Sequence, residues 1–233
     1  MGRCTQGAWA LVYTVARVEG VEDSGIKPYS HAENTVEGVY MEATAQIEET
    51  PQAVGTKLSG LSRLMWNENS FGFPSATTLT SVEWDLVVVD NGPISLTWGL
   101  QGQVIVSVAA FEEYPGPIIA EYGVVISSMW GEYMEFDGIY TDQSGYYYLP
   151  VSKAGTFDFG GTSFTAGERV HVLIDLTTTA QAGSGWGSGS TIWTDFEDSL
   201  RITALNNLVI PEPGSAALLG LGLLLATVRR KKK

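Results

Sequence analysis

The sequence has very little of the residues from which metal and nucleophilic sites are usually built. It contains one cysteine, Cys4, and two histidines, His31 and His171, in 233 residues. One cysteine excludes an internal disulfide and a cysteine-rich zinc site, and two histidines exclude a three-histidine metal site. A serine–histidine–acid triad would need one of these histidines, and no Gly-x-Ser-x-Gly motif is present to serve it. We therefore predict that the protein is not an enzyme.

Positive charge is scarce outside the last five residues. The chain carries 13 Lys and Arg against 26 Asp and Glu, and five of the basic residues occupy positions 229–233. Residues 1–210 thus hold eight basic and 25 acidic residues, a formal charge of −17. Because a body this acidic repels a phosphate backbone, we predict no nucleic-acid partner.

The body of the chain lacks helical periodicity and shows the period-two alternation of β-strands. Apolar residues occupy every second position over 39–47, 82–88 and 200–204, and turn residues such as those of 90–93 separate the runs. Many short strands with Gly, Pro and Asn turns are typical of a sandwich or jelly roll. We predict an all-β protein, an antiparallel β-sandwich or jelly roll over residues 19–208, with one C-terminal transmembrane helix.

Residues 1–18 have three interpretations. Arg3 precedes the apolar run 7–16, which has the length of a signal-peptide hydrophobic region. The charge before it is small and no clear Ala-x-Ala cleavage site follows, so the segment could be a weak or truncated signal peptide. It could equally be the first strand, because its large apolar side chains alternate with smaller ones. The third interpretation is a natural start upstream of Met1.

Two segments of the body are predicted to be loops. Residues 178–191 are small, polar and glycine-rich, which indicates a flexible connection or a hairpin tip. Glu132, Glu135, Asp137 and Asp142 form an acidic segment that does not match the EF-hand pattern. Carboxylates bind hard cations, so the alternatives here are a solvated turn and a Ca²⁺ site. We predict no other metal and no cofactor.

Aromatic residues are abundant, with seven Trp and ten Tyr. Trp84 and Trp98 fall on alternating strand positions and are predicted to lie in the core. A glycan-cleaving enzyme would need two carboxylates flanking one bond, and no spacing singles out such a pair. The residues predicted to be exposed, and thus candidates for stacking on sugar rings, are Trp186, Tyr146, Tyr147 and Tyr148.

The C-terminal segment has three parts in a fixed order: the motif Pro211, Glu212, Pro213, an apolar run of 13 residues and a basic cluster. The two prolines hold the motif extended and exposed. The apolar run spans about 20 Å as a helix, so crossing a bilayer requires the residues from Pro211 onward and snorkelling of the basic side chains. The positive-inside rule then places residues 1–210 across the membrane. The predicted transmembrane positions include Ala216, Leu218, Leu219, Leu221, Leu223, Leu224, Leu225 and Val228, and the basic stop is Arg229, Arg230, Lys231, Lys232 and Lys233.

This segment, residues 209–233, resembles the PEP-CTERM sorting signal of exported proteins in many Gram-negative bacteria that make exopolysaccharide. The resemblance implies recognition by an exosortase, an integral-membrane cysteine protease that removes the tail at the motif. We therefore expect an exported protein of structural or adhesive type, anchored in the inner membrane before sorting and then located at the cell surface or in the extracellular matrix. The alternatives are a carbohydrate-binding module associated with exopolysaccharide and a glycan-active enzyme.

Overall fold

A computed structural model describes residues 10–48, 54–160 and 163–210, and every regular element within these ranges is a β-strand. All pairings between the strands are antiparallel. The predicted all-β antiparallel fold is thus confirmed. The strands are β1 (Ala10–Val18), β2 (Val21–Gly25), β3 (Tyr29–Val36), β4 (Val39–Glu48), β5 (Lys57–Trp66), β6 (Ser75–Val88), β7 (Ser95–Val108), β8 (Ile118–Ser128), β9 (Gly131–Thr141), β10 (Gly145–Asp158), β11 (Arg169–Ala182), β12 (Thr191–Asn206) and β13 (Leu208–Val209).

The strands form two sheets that pack face to face. Sheet A has the order β2-β1-β6-β11-β8-β9, with β13 beside β6, and sheet B has the order β10-β7-β12-β5-β4-β3. Strands β5 to β8 alternate between the sheets, so consecutive strands contribute side chains to the core from both sides. The 14 residues of β6 extend over about 45 Å at ~3.3 Å per residue, which gives the length of the sandwich.

Period-two alternation decides which side chains fill the space between the sheets. In β4 the five residues Val39, Met41, Ala43, Ala45 and Ile47 are buried, and those between them are partly exposed. Trp84 and Trp98 are buried as predicted. Each fully buried large apolar side chain contributes ~1.5–3 kcal/mol, so this alternation carries most of the driving force for packing the sheets.

A cluster of hydroxyl groups bridges the two sheets within the core. Thr178 Oγ1 lies 2.7 Å from Ser62 Oγ and 2.7 Å from Thr78 Oγ1, and all three residues are buried. Ser62 belongs to sheet B, whereas Thr78 and Thr178 belong to sheet A. Gly60 makes room for the cluster, because a Cβ there would lie 2.8 Å from Thr78 Oγ1. The hydroxyls satisfy one another where water has no access.

The structure describes a strand near the N-terminus, and at the C-terminal end its described residues stop at Ile210. Residues 10–18 form β1, which pairs with β2 on one side and β6 on the other. Within the described ranges, no helix is long and apolar enough to cross a membrane. The sorting motif Pro211–Pro213, the predicted transmembrane run 216–228 and the basic stop 229–233 lie outside the described residues.

Candidate functional site

The sandwich has two distinct ends. At the end where β6 begins, which we call the loop end, the segments 67–74, 109–117 and 183–190 cross between the sheets. At the opposite end, which we call the tail end, Leu208 of β13 pairs with Val88 at the end of β6. Ile210 packs against the core there. The sorting motif therefore follows directly in sequence after the last described residue, Ile210, which packs on the sandwich.

Trp186 is fully buried at the loop end, so the prediction that it is exposed is wrong. Its indole Nε1 donates a hydrogen bond to the Gly116 carbonyl oxygen at 3.1 Å. Its backbone forms bridges to Ser70 and Ala110, which belong to the two neighbouring crossing segments. Trp186 thus connects the three crossing segments through its backbone and its indole nitrogen. Its ring has no exposed face on which a ligand could stack.

Glycines explain why the segment around Trp186 is not a flexible loop. A Cβ on Gly116 would lie 2.6 Å from Gly183 Cα, so the two backbones touch where any side chain would separate them. Gly185 has φ of +92°, which favours glycine. Residues 178–182, predicted to be part of the same loop, belong to β11. The glycine-rich composition here allows close approach and does not produce flexibility.

The three consecutive tyrosines do not share one environment. Tyr146 and Tyr148 are 67% and 51% exposed on the outer face of sheet B. Tyr147 packs against the core and donates from its hydroxyl to the Gln143 carbonyl oxygen at 3.4 Å. Tyr147 is only partly exposed, because successive strand residues point to opposite faces, so the predicted exposure holds for Tyr146 and Tyr148 and only in part for Tyr147.

A row of aromatic and charged residues crosses the outer face of sheet B. The register places Tyr148 opposite Ile105, Ile105 opposite Trp193, Trp193 opposite Arg63, and Arg63 opposite Glu42. The five strands that contribute these residues extend over about 19 Å at ~4.8 Å per strand. We call this row, together with the adjacent row toward the loop end, the aromatic band. The adjacent row contains Tyr146, Ser107, Thr191, Met65 and Tyr40.

Neighbouring side chains hold Arg63 at the centre of the aromatic band. Its Cζ lies 5.3 Å from the centroid of the Trp193 ring, and its Nη1 lies 3.9 Å from Glu42 Oε2. Arg63 Nε and Trp193 Nε1 are buried and have no hydrogen-bond acceptor among the described residues. At the far side of the band, the Tyr40 hydroxyl donates to Glu33 Oε2 at 3.1 Å, and burial raises the pKa of Tyr40. From its centre to its far side, the band therefore presents the rings of Trp193 and Tyr40 in contact with charged side chains.

The acidic segment predicted to be a loop is strand β9. Glu135 pairs with Lys153 of β10 and accepts hydrogen bonds from the hydroxyls of Tyr133, at 2.5 Å, and Tyr122, at 3.4 Å. Lys153 Nζ also lies 3.7 Å from Asp137 Oδ2. Burial raises the pKa of Tyr122 to about 12. Lys153 therefore offsets the charge of both carboxylates, and within the described residues no group of three or more His, Cys, Asp or Glu is arranged to hold a metal.

The two histidines lie on different sheets. His171 on β11 is exposed, and its Nδ1 lies 3.1 Å from Asp85 Oδ1. His31 on β3 has Nδ1 at 2.9 Å from Thr44 Oγ1. Each histidine is paired with a residue of its own sheet, so the structure does not bring His31 and His171 into one site.

A family model described as the PEP-CTERM protein-sorting motif matches residues 209–232. The chain therefore carries a PEP-CTERM sorting motif, as the order of its C-terminal residues predicts. Such a motif marks an exported protein that an exosortase processes at the membrane. No curated protein matches the chain.

Three solved structures of carbohydrate-binding modules resemble the chain weakly. TmCBM61 in complex with beta-1,4-galactotriose is 11% identical, with 76% of this chain and 89% of that chain covered and a TM-score of 0.26. The CBM22-1 xylan-binding domain from Paenibacillus barcinonensis Xyn10C is 13% identical, with 74% and 85% covered and a TM-score of 0.18. A module of the β-sandwich superfamily with promiscuous specificity is 12% identical, with 84% and 86% covered and a TM-score of 0.17. At these TM-scores the likeness carries no argument about function.

Proposed function

We propose that the protein is a surface or extracellular-matrix protein of structural or adhesive type, delivered by its C-terminal sorting motif. The observation that carries the proposal is the order of Pro-Glu-Pro, apolar run and basic cluster within the matched residues 209–232. In this scheme the apolar run 216–228, together with the residues from Pro211 onward, crosses the inner membrane, and the basic stop stays in the cytoplasm. An exosortase then cuts at Pro211–Pro213, and the sandwich reaches the surface or the matrix without performing a reaction.

The position of the motif after the sandwich supports this scheme. Ile210 packs on the core, and the last strand, β13, ends at Val209. A cut at Pro211–Pro213 would therefore remove none of the thirteen described strands. The negative charge of the body also supports this scheme. A formal charge of −17 over residues 1–210 makes copies of the released protein repel one another and favours their solubility.

The test is a Glu212→Ala substitution in the natural host, with Ser215→Ala as a matched control outside the motif. We expect the Glu212 variant to remain full-length in the membrane fraction and the control to be released like the wild type. Immunoblots of membrane and extracellular fractions, with an antibody against the sandwich, measure both. Normal release of the Glu212 variant would contradict the proposal.

Carbohydrate binding is a second candidate function. The observation that favours it is the exposure of Tyr146 and Tyr148 on one face of an edge strand, where flat rings can stack on sugars. Trp186 has no part in it, because the ring is buried. Retardation of the protein in gels that contain a polysaccharide, reduced by Tyr148→Ala, is the expected result.

A further inference from the structure

We infer that the aromatic band of sheet B is the binding site for a neutral polysaccharide chain that lies across the strands. The inference rests on the second candidate function and assigns it a site. Sugar rings have apolar C–H faces and hydroxyl groups around their edges, so a site for them needs exposed flat rings with polar groups beside them. The aromatic band meets both requirements along one line.

The rings of the band are spaced along the whole line. Tyr146 and Tyr148 stand on β10, the edge strand of sheet B, where a long polymer can enter without meeting a neighbouring strand. Trp193 is partly exposed two strands further in, and Tyr40 is partly exposed two strands beyond it. A chain of several sugars would therefore meet an aromatic side chain at both ends and in the middle of the band.

The polar groups of the band are fixed before any ligand arrives. Arg63 packs on the Trp193 ring at 5.3 Å and faces Glu42 at 3.9 Å. The side chain of Arg63 is 32% exposed and that of Glu42 is 20% exposed. Preorganised donors and acceptors bind a ligand without paying for their own ordering. The buried Arg63 Nε and Trp193 Nε1 lack acceptors among the described residues, which is costly for buried donors.

Charge selects a neutral ligand over an anionic one. Arg63 is the single cation of the band, and Glu42 beside it and Glu33 at its far side carry the opposite charge. The body as a whole is strongly acidic, so a polymer of sulfate, phosphate or uronate groups would be repelled. A protein partner is also disfavoured, because the cores of protein interfaces are depleted in charged residues and the band has an ion pair at its centre.

The site is remote from the tail end, where the described residues end at Ile210. Ten residues of β10 follow Tyr148, so about 33 Å of strand at ~3.3 Å per residue lies between the band and the tail end. Removal of the tail would leave every residue of the band in place. Binding is therefore expected for the full-length chain as well as for a cleaved one.

The experiment is affinity gel electrophoresis of the full-length chain in detergent micelles, with hydroxyethyl cellulose, a galactan and dextran as neutral probes and alginate as an anionic probe. We expect retardation by at least one neutral polymer, and an increase in Kd of about tenfold in Trp193→Ala and in Tyr148→Ala. Tyr148 is exposed on an edge strand, so its variant tests the site even if the Trp193 variant does not fold. Tyr13→Ala, on the outer face of sheet A, is the matched control and should bind like the wild type.

The outcomes separate the site from the function. If the wild type binds a neutral polymer and the Trp193 and Tyr148 variants bind equally well, carbohydrate binding stands and the band is wrong as its site. If no neutral polymer retards the wild type, both fail. Tighter binding to alginate than to any neutral polymer would also overturn the inference. None of these results depends on cleavage at Pro211–Pro213, because the assay uses the uncut chain.

Discussion

The sorting property of the tail depends on residues that are consecutive in sequence, whereas the packing of the sandwich depends on residues that are far apart in sequence. In the tail, the 24 consecutive residues 209–232 are sufficient for a match to the sorting motif. In the sandwich, the groups that meet are far apart in sequence, as Ser62 and Thr178 show in the hydroxyl cluster. A single change in the motif should therefore alter sorting and leave the fold intact, whereas a single change in the core should do the reverse.

The largest effect on the sandwich is expected from Trp186→Ala. The substitution removes a fully buried ring and its hydrogen bond to Gly116, so the free energy of unfolding should fall by about 3–5 kcal/mol. Urea denaturation followed by circular dichroism measures the change. Tyr114→Ala, at an 84% exposed position of the same end, is the control and should stay close to the wild type. An unchanged midpoint for the Trp186 variant would contradict its role as the anchor of the loop end.

A smaller loss is expected from Thr178→Val at the hydroxyl cluster. The valine keeps the shape but removes the hydroxyl that Ser62 and Thr78 share. Ser62 keeps the Thr178 carbonyl oxygen as an acceptor at 3.1 Å, whereas Thr78 loses its partner in the cluster, so we expect a loss of about 1–3 kcal/mol. Thr179→Val, on the outer side of the same strand, is the matched control. Equal stabilities in denaturant for both variants would show that the cluster does not join the sheets energetically. In the chains that fold, cleavage at the tail should be unaffected.

The smallest effect is expected from Asp175→Asn on the outer face of sheet A. Burial raises the pKa of Asp175, although a hydrogen bond from Ser81 lowers it in part. A carboxyl whose pKa is raised by folding binds its proton more tightly in the native state, so stability is lost as pH rises from the unfolded pKa of 3.8 through the folded value. Asparagine cannot ionise, and the variant should lose this part of the decline. Thermal melts between about pH 3 and pH 7 measure how the stability of the wild type and of the variant changes with pH. If the two proteins change in parallel, the assignment is refuted.

Much of the sandwich was predictable from local alternation, and its exceptions come from pairing. The pattern predicts that Leu200, Ile202 and Ala204 share the buried face, and the first two are buried. Ala204 is exposed, because the pairing of β12 with β7 shifts register between Ile202 and Ala204. An irregularity of this kind depends on the partner strand and leaves no signal in the alternation itself.

The candidate site was less accessible to sequence reasoning. Composition around Trp186 indicates a flexible loop, and only the contact with residues 109–117 shows that its glycines serve close packing. Trp193 and Arg63 are 130 positions apart in sequence, and the register of β12 with β5 brings them together. The alternation of buried Ile192, Thr194 and Phe196 would have placed Trp193 on the outer face, but not beside Arg63.

The most direct test of the account is the intact mass of the protein purified from its natural host, with both termini sequenced. We predict a C-terminus at or close to Pro211–Pro213 in the exported protein, with β13 and all earlier strands retained. A chain that extends to Lys233 in the inner membrane, with no shorter product outside the cell, would contradict sorting through this motif.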